Sequence, residues 1–277
     1  NQVSQSVIDY YFTFGSTEAR QFQKLIECTF ISHGSLKNNL FDIMPEPKNR
    51  ILTFITSLTQ DCIQIESNPS ALLGYSNDTP ISLVKYFEAD FIVAKWLQDF
   101  ALRNDLVFQI LGKRGKDHPE QELLFRHRVP GEWKFVFCDS EYDSYRTLFE
   151  SQFIAGVDST MLYEMFGRGK RSAFFTIRKS TIGIDSMFCP NFGYPEISSE
   201  SGPMWTNCLN EKEFERIMNT ILTTSDHQWS EIVSNFRPFV MNWDFGNTKL
   251  AETLSNLGFT IESDPRVRSK SALNTVK

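Results

Sequence analysis

The sequence lacks the features that would place it inside a membrane or on nucleic acid. Its 277 residues contain no apolar run approaching the ~18 to 20 residues that a membrane-spanning helix needs. The formal net charge is −6, whereas general nucleic-acid binding requires a basic surface. Because 41% of the residues are hydrophobic, the chain can bury a full core. We therefore expect a globular protein that does not bind nucleic acid.

Cysteine and histidine are few, and their spacing fits neither disulfides nor metal sites. The five cysteines are scattered, odd in number and form no Cys-x-x-Cys pair, which favours a reduced, cytoplasmic setting. The four histidines do not show the spacing of metal ligands. We expect neither a bound metal nor another cofactor.

Three common catalytic motifs are also missing. The sequence contains no Gly-x-Ser-x-Gly, no P-loop and no Gly-x-Gly-x-x-Gly. These motifs build the nucleophile turn of serine hydrolases, the phosphate loop of NTPases and the dinucleotide turn of oxidoreductases. Those three classes of enzyme are therefore excluded.

Three regions can be distinguished along the chain. The chain begins with Asn1 rather than Met, and residues 1–47 read as the end of an N-terminal domain and a linker. They hold one apolar run (Tyr10 to Phe14) and a short helical stretch from Ala19 to Glu27, and breaker residues follow over 32–49. Residues 48–258 form a complete domain, and 259–277 form a polar tail that we expect to be disordered. We expect a further domain upstream of Asn1.

Within residues 48–258, short apolar runs alternate with amphipathic helical patterns. The runs predicted as strands are residues 50–57, 106–111, 133–138, 153–157 and 172–176. The predicted helices are 79–101, 119–128, 143–151, 211–223, 226–236 and 247–257. The first of these helices is expected to start with Thr79 as N-cap and Pro80 in its first turn. This alternation is typical of an α/β fold with a doubly wound, Rossmann-like parallel sheet covered on both faces, and such sheets bind ligands beyond the carboxyl ends of their strands.

One strand end carries the most informative side chains. Asp158, Ser159 and Thr160 follow the predicted strand 153–157 and start a short helix. A helix that begins there points its unpaired N–H groups and the positive end of its dipole at the sheet edge, which is a geometry that binds phosphate. Glu164 lies about one turn further on, where a carboxylate can hold vicinal ribose hydroxyls. The alternative is a plain helix cap with a solvated glutamate.

Basic residues surround this helix in the sequence. Five of them and no acidic residue occur between Met165 and Ile184. Among them, Lys170 and Arg171 are predicted to contact the donor, since long cations reach phosphates readily; their alternative role is a surface turn. A second candidate loop follows the strand 106–111 and contains Gly112, Lys113 and Arg114. The alternative for this loop is an ordinary polar connection.

With these elements in place, the chain resembles the nucleotide-sugar-binding, C-terminal half of a two-domain GT-B glycosyltransferase, and in particular bacterial lipopolysaccharide and capsule biosynthesis proteins of that fold. The segments that carry the resemblance are 33–39, 110–114, 144–146, 157–160, 163–164, 169–171, 204–206 and 243–247. The Asp-Ser-Thr turn with its later glutamate is similar to the Asp-Ser-Gly-Gly…Glu motif of UDP-GlcNAc 2-epimerases. There the small residues hold diphosphate and the glutamate holds ribose. Here Thr160 and Met161 replace the glycines, so hydroxyl contacts must do more of the binding.

The resemblance implies a metal-independent glycosyltransferase that moves a sugar from a nucleotide-activated donor to a glycan or lipid-linked glycan. Such a protein would be cytoplasmic and associate peripherally with the inner face of the membrane. The missing N-terminal domain would bind the acceptor and supply the catalytic base. His118, followed by proline, is similar to a His-Pro pair that contacts the CMP phosphate in bacterial sialyltransferases, and it is the candidate catalytic group. A nucleotide-sugar 2-epimerase, a CDP-glycerol-type polymer transferase and a non-catalytic binding module remain alternatives.

Overall fold

The computed structural model describes residues 8–42, 49–58, 62–140, 142–184 and 189–260. Its first part is a small β-α-β unit made of β1 (Tyr10–Thr13), α1 (Ser16–Phe22) and β2 (Thr29–Ser32). The two strands pair in parallel, with Tyr10 opposite Thr29. The predicted linker over 32–49 therefore starts on a strand and includes a 3-10 turn at Asn38–Leu40, while residues 43–48 lie outside the described part.

The main sheet has six parallel strands. They are β3 (Ile51–Ile55), β6 (Val107–Leu111), β7 (Lys134–Val136), β8 (Phe153–Gly156), β9 (Arg171–Phe175) and β10 (Trp205–Thr206). Their order across the sheet is β10-β9-β8-β3-β6-β7. The chain leaves β3 towards β6 and β7 and then returns to the opposite side of β3 to form β8, β9 and β10. This is the doubly wound order, so the predicted α/β fold is confirmed, and its switch point lies between β3 and β8.

Helices cover both faces of this sheet because the connections between its parallel strands must cross over it. Those after α1 are α2 (Cys62–Ser67), α3 (Leu83–Arg103), α4 (Glu120–Arg128), α5 (Asp143–Glu150), α6 (Thr160–Gly167), α7 (Arg178–Ile182), α8 (Glu211–Thr223), α9 (Asp226–Val240) and α10 (Thr248–Asn256). The apolar face predicted for α3 is buried throughout, from Leu83 and Phe87 to Leu97 and Ala101. Gly258, predicted to stop the last helix, has a φ of +86°.

The expected start of α3 at Thr79 and Pro80 is wrong. These residues open the strand β5 (Thr79–Ser82), which pairs antiparallel with β4 (Leu72–Ser76). Asn77 and Asp78 form the two-residue turn with φ values of 46° and 62°, the positive angles that a tight hairpin turn requires. The cap of α3 is Ser82, whose hydroxyl accepts from the Lys85 N–H. The reason is that Thr-Pro is equally compatible with a strand at the edge of a sheet.

The β-α-β unit and the turn after β2 pack against residues 242–247, the segment that precedes α10. The amide of Asn242 donates to the Phe14 carbonyl at 2.8 Å, and the amide of Asp244 donates to the Asn39 side chain at 3.0 Å. Gly34, with a φ of +89°, leaves no room for a Cβ, which would lie 2.0 Å from the Asn242 carbonyl oxygen. Residues 8–42 are therefore docked onto the segment around 242–247, which leads into α10. The boundary predicted at residues 47 and 48 stays a prediction.

Candidate functional site at the carboxyl edge of the sheet

Ser159 is the N-cap residue of α6, at the carboxyl end of β8 and beside the switch point of the sheet. The residue is 7% exposed, and its side chain makes no capping hydrogen bond. Thr160, the first helical residue, is exposed. The plain-cap alternative predicted the capping bond that is missing here. Both hydroxyls and the first amides of the helix are thus available to an anion.

The loop after β6 lies at the same edge of the sheet. Two strand spacings separate β6 from β8, or about 10 Å, so Lys113 and Arg114 can reach towards an anion at Ser159. Lys113 is exposed and Arg114 half-buried. Gly112 has a packing role, because a Cβ there would lie 2.7 Å from the Phe135 ring. The donor contacts of these three residues stay predictions.

His118 lies further along this loop, between two carboxylates. Its Nδ1 is 3.0 Å from the Glu120 carboxylate, and its Nε2 is 3.6 Å from that of Asp117. The imidazole is partly exposed at 41%. Each ring nitrogen therefore lies near a carboxylate oxygen. Its catalytic role stays a prediction.

Lys170 and Arg171 do not join this group of residues. Arg171 opens β9 and pairs with Phe153, the first residue of β8, so both cations lie at the amino-terminal edge of the sheet, about 13 Å of strand from the carboxyl edge. Lys170 donates to the Phe149 carbonyl at 3.0 Å, and Arg171 pairs with Asp226 at 2.7 Å. Residues that precede a parallel strand lie opposite those that follow it, so Lys170 and Arg171 do not share the edge of Ser159, and their contact with the donor stays a prediction.

The predicted local positive charge also requires correction. The basic run contains no acidic residue of its own, but acidic residues distant in sequence pair with it. Arg178 is 2% exposed and binds both Asp90, at 2.7 Å, and Asp158, at 2.6 Å. Together with the Arg171–Asp226 pair, this leaves far less free positive charge near α6 than the sequence suggests.

Glu164 faces the segment that links the β-α-β unit to the main domain. Its carboxylate accepts a hydrogen bond from the Tyr145 hydroxyl at 2.5 Å and another from Ser35, and it is only 7% exposed. Burial raises its pKa above the usual range, although these bonds and the charges of Lys37 and Arg168 act in the opposite direction. To hold a ribose diol, Glu164 would have to exchange these partners for the ligand. The ribose contact stays a prediction.

The raised pKa leads to a prediction about stability. A carboxyl group whose pKa is higher in the folded state favours folding most below its unfolded pKa, and this contribution is lost as the pH rises through the folded pKa. Glu164→Gln cannot ionise, and its amide oxygen can still accept from Tyr145. We expect the variant to exceed the parent in free energy of unfolding at pH 7.5, by roughly 1 kcal/mol or less, and to lose this advantage near pH 4.5.

Urea denaturation of both proteins across this pH range measures the difference, and all other titrating groups cancel in the comparison. Glu132→Gln, at an exposed position, is the matched control and should change nothing. The quantity to compare is the free energy of unfolding of Glu164→Gln minus that of the parent. If this difference is lower at pH 7.5 than at pH 4.5, the ionised carboxylate is the stabilising form.

The segment 33–39 carries part of the resemblance described above, but no role was predicted for its side chains. His33 is 6% exposed and packs edge-on against Phe12 at 5.4 Å. Its pKa is lowered by burial, with Asp244 and the Thr13 carbonyl partly offsetting the effect. Neither ring nitrogen makes a hydrogen bond of normal geometry within the described residues, and the same holds for Asn38 Oδ1 and Trp243 Nε1. His33 lies between β2 and Gly34, and this position was the one signal in the sequence that could have pointed to it.

Arg168 holds this segment in place. The C-cap residue of α6, it donates to the carbonyls of Asn38, at 3.2 Å, and Phe41, at 2.6 Å. Its guanidinium also lies 5.1 Å from the centre of the Trp243 ring. One end of α6 therefore lies at the carboxyl edge of the sheet, and the other end is tied to residues 38–42 through Arg168.

The described part of the chain contains neither a metal-binding cluster nor a membrane-spanning helix. Within the described ranges, no three His, Cys, Asp or Glu side chains are grouped so that they could hold a metal ion. Among the helices the structure describes, none combines the length and the apolar character needed to cross a membrane. The prediction of a metal-independent reaction stays a prediction.

The structure is that of an α/β protein with a doubly wound parallel sheet, and the N-terminus of α6 lies at the carboxyl edge of this sheet without a side-chain cap. Residues 1–257 match the protein family described as "putative O-antigen biosynthesis protein", and the chain belongs to this family. O-antigen is a surface carbohydrate, so the family places the chain in surface-carbohydrate biosynthesis. No curated protein sequence matches the chain.

Several solved structures are similar to the chain. UDP-GlcNAc 2-epimerase from Neisseria meningitidis, bound to UDP-GlcNAc, has 11% identity and a TM-score of 0.48, with 90% of this chain and 61% of that chain covered. S. aureus MnaA with UDP has 9% identity and a TM-score of 0.49, with 92% and 61% covered. The wall teichoic acid polymerase TagF has 11% identity and a TM-score of 0.43, with 90% and 58% covered. The chain thus spans less than two thirds of each of these structures, and at such identities they assign no role to its residues.

Proposed function

We propose that this chain binds a nucleotide-activated sugar and takes part in transferring the sugar to a glycan or lipid-linked glycan during surface-polysaccharide biosynthesis. The observation that carries the proposal is Ser159, the N-cap residue of α6, whose hydroxyl makes no capping hydrogen bond. A serine at a helix N-cap ordinarily accepts a hydrogen bond from a backbone amide of the first turn, and that bond is absent here. At the carboxyl edge of a doubly wound sheet, next to the switch point, Ser159 lies where such folds bind their ligands.

The proposed mechanism is direct displacement at the sugar carbon, with the nucleotide phosphate leaving. Charge develops on that phosphate as the glycosidic bond breaks. The N-terminus of α6, with the hydroxyls of Ser159 and Thr160, would stabilise it with dipoles that are already oriented. Lys113 and Arg114 would add positive charge from the neighbouring loop, and His118 would donate a proton to the departing phosphate. These groups would neutralise the charge that a metal ion neutralises in other transferases.

The test is calorimetric titration of the chain with UDP, CMP, CDP and GDP, with and without EDTA. We expect one nucleotide to bind better than the others, which would identify the base, and we expect EDTA to leave its affinity unchanged. A folded chain that binds none of the four at millimolar concentration would overturn the proposal. Binding that disappears with EDTA would show that a metal ion holds the phosphate and would overturn the metal-independent mechanism.

A further inference from the structure

The switch-point crevice between β3 and β8, where doubly wound folds usually admit a ligand, is occupied by a side chain of the protein itself. Arg178, the first residue of α7, extends its guanidinium between the ends of the two strands and is 2% exposed. Its Nε donates to Asp158 Oδ2 at 2.6 Å, and Nη2 donates to Asp158 Oδ1 at 3.1 Å. Both oxygens of Asp158, the residue that precedes Ser159, are therefore held by one planar group.

The same guanidinium reaches the other wall of the crevice. Nη2 also donates to Asp90 Oδ2 at 2.7 Å and to the Ser57 hydroxyl. Asp90, on α3, accepts in turn from the Ser57 amide at 2.9 Å. Arg178 thus contacts α3, the turn after β3 and the turn after β8.

A buried ion pair is weak evidence of added stability, since the cost of removing both charges from water offsets much of their attraction. A two-bond contact between arginine and a carboxylate restricts the orientation of the carboxylate, because the planar guanidinium admits few arrangements. Arg178 restricts the side chain of Asp158 in this way, and Asp158 directly precedes Ser159. The side chain of Asp158 is 24% exposed, whereas that of Asp90 is fully buried. The constraint therefore reaches the side of the crevice that carries the candidate phosphate site.

We propose that Arg178 is a positioning residue: it fixes Asp158 and thereby holds the Ser159–Thr160 turn in the conformation that receives phosphate. By filling the crevice, it also directs the ligand to the N-terminus of α6 rather than to the space between β3 and β8. This inference rests on the proposed function, since it concerns the same phosphate site.

The test compares two variants that each leave Arg178 with one carboxylate partner, Asp158→Asn and Asp90→Asn. The probe is inorganic pyrophosphate, which has neither base nor ribose and so reports on the phosphate site alone. Binding is followed by the amide NMR shifts of Thr160 and Met161. We expect Asp158→Asn to weaken pyrophosphate binding at least 10-fold and Asp90→Asn to weaken it less than 3-fold. Thermal unfolding establishes that both variants are folded at the assay temperature.

The sign of the effect separates positioning from simple charge. If Asp158 were only a negative charge near the phosphate, removing it would strengthen anion binding. Affinity for pyrophosphate that is unchanged or higher in Asp158→Asn therefore overturns the proposal, and so does an equal loss in both variants. If the parent protein shows no pyrophosphate-induced shift at Thr160 or Met161, the phosphate site itself is wrong and both proposals fail.

Arg178→Lys provides a second test, in which the charge is conserved. It also serves if Asp158→Asn does not fold. Lysine can approach only one carboxylate oxygen at a time and cannot hold Asp158 by two parallel bonds. We expect at least a 10-fold loss of pyrophosphate affinity with the net charge unchanged. A folded Arg178→Lys variant that binds pyrophosphate as the parent does would show that the geometry imposed by arginine is not needed.

Discussion

Replacing both Ser159 and Thr160 by alanine is expected to weaken nucleotide binding by about 100-fold or more. A hydrogen bond to a charged group contributes about 1.5 to 3 kcal/mol, and two such bonds to phosphate would be lost. At about 1.4 kcal/mol per tenfold change, the lower limit of this sum already corresponds to about two orders of magnitude. The measurement is calorimetric titration of the double variant with the nucleotide that the parent binds best.

The chain offers a matched control at another helix start. Ser82 caps α3 by accepting from the Lys85 amide at 3.4 Å, whereas Ser159 makes no such bond. Ser82→Ala should therefore cost about 1 kcal/mol of stability and leave nucleotide affinity unchanged. Ser159→Ala should do the reverse. If the Ser159 and Thr160 double variant binds as the parent does, or if Ser159→Ala destabilises the protein as much as Ser82→Ala does, Ser159 is only a helix cap.

Gly34→Ala is expected to cost about 2 to 5 kcal/mol and to loosen the contact between residues 8–42 and residues 242–247. The residue has a φ of +89°, and an added methyl group would lie 2.0 Å from the Asn242 carbonyl oxygen. The left-handed backbone alone costs a non-glycine residue roughly 1 to 2 kcal/mol, and overpacking adds about 1 to 3 kcal/mol. Because the clashing atom belongs to the backbone, a side-chain rotation cannot relieve it.

Gly169→Ala separates the two contributions. Gly169 has a similar φ of +96°, but no atom lies within 4 Å of its Cβ position, so only the backbone cost of about 1 to 2 kcal/mol applies. Denaturant unfolding gives the total cost of each variant, and amide hydrogen exchange shows whether residues 8–42 and 242–247 lose protection together in Gly34→Ala alone. Equal costs in the two variants would mean that the two segments are not in contact in solution.

The local patterns of the sequence determined most of the fold. Continuous apolar runs alternating with amphipathic helices predicted the parallel sheet, because strands covered on both faces need no polar alternation. The helix Glu211–Thr223 was predicted residue for residue, and the structure shows that the side chain of Asn210 caps it. The position of Ser159 at the start of a helix after a buried strand also followed from sequence, since it depends only on neighbours along the chain.

Tertiary structure alone decided which of the candidate residues lie together. Lys170 and Arg171 are near Ser159 in sequence but precede β9, so the direction of the strand places them at the far edge of the sheet. Arg178 belongs to a run with no acidic residue, yet the parallel pairing of β8 with β9 brings Asp158 beside it, and α3 brings Asp90. Glu164 lies on the predicted helix, but Tyr145 and Ser35, from two other elements, occupy its carboxylate. Hydrogen bonds and ion pairs act over a few ångströms in space, and sequence patterns report only on neighbours along the chain.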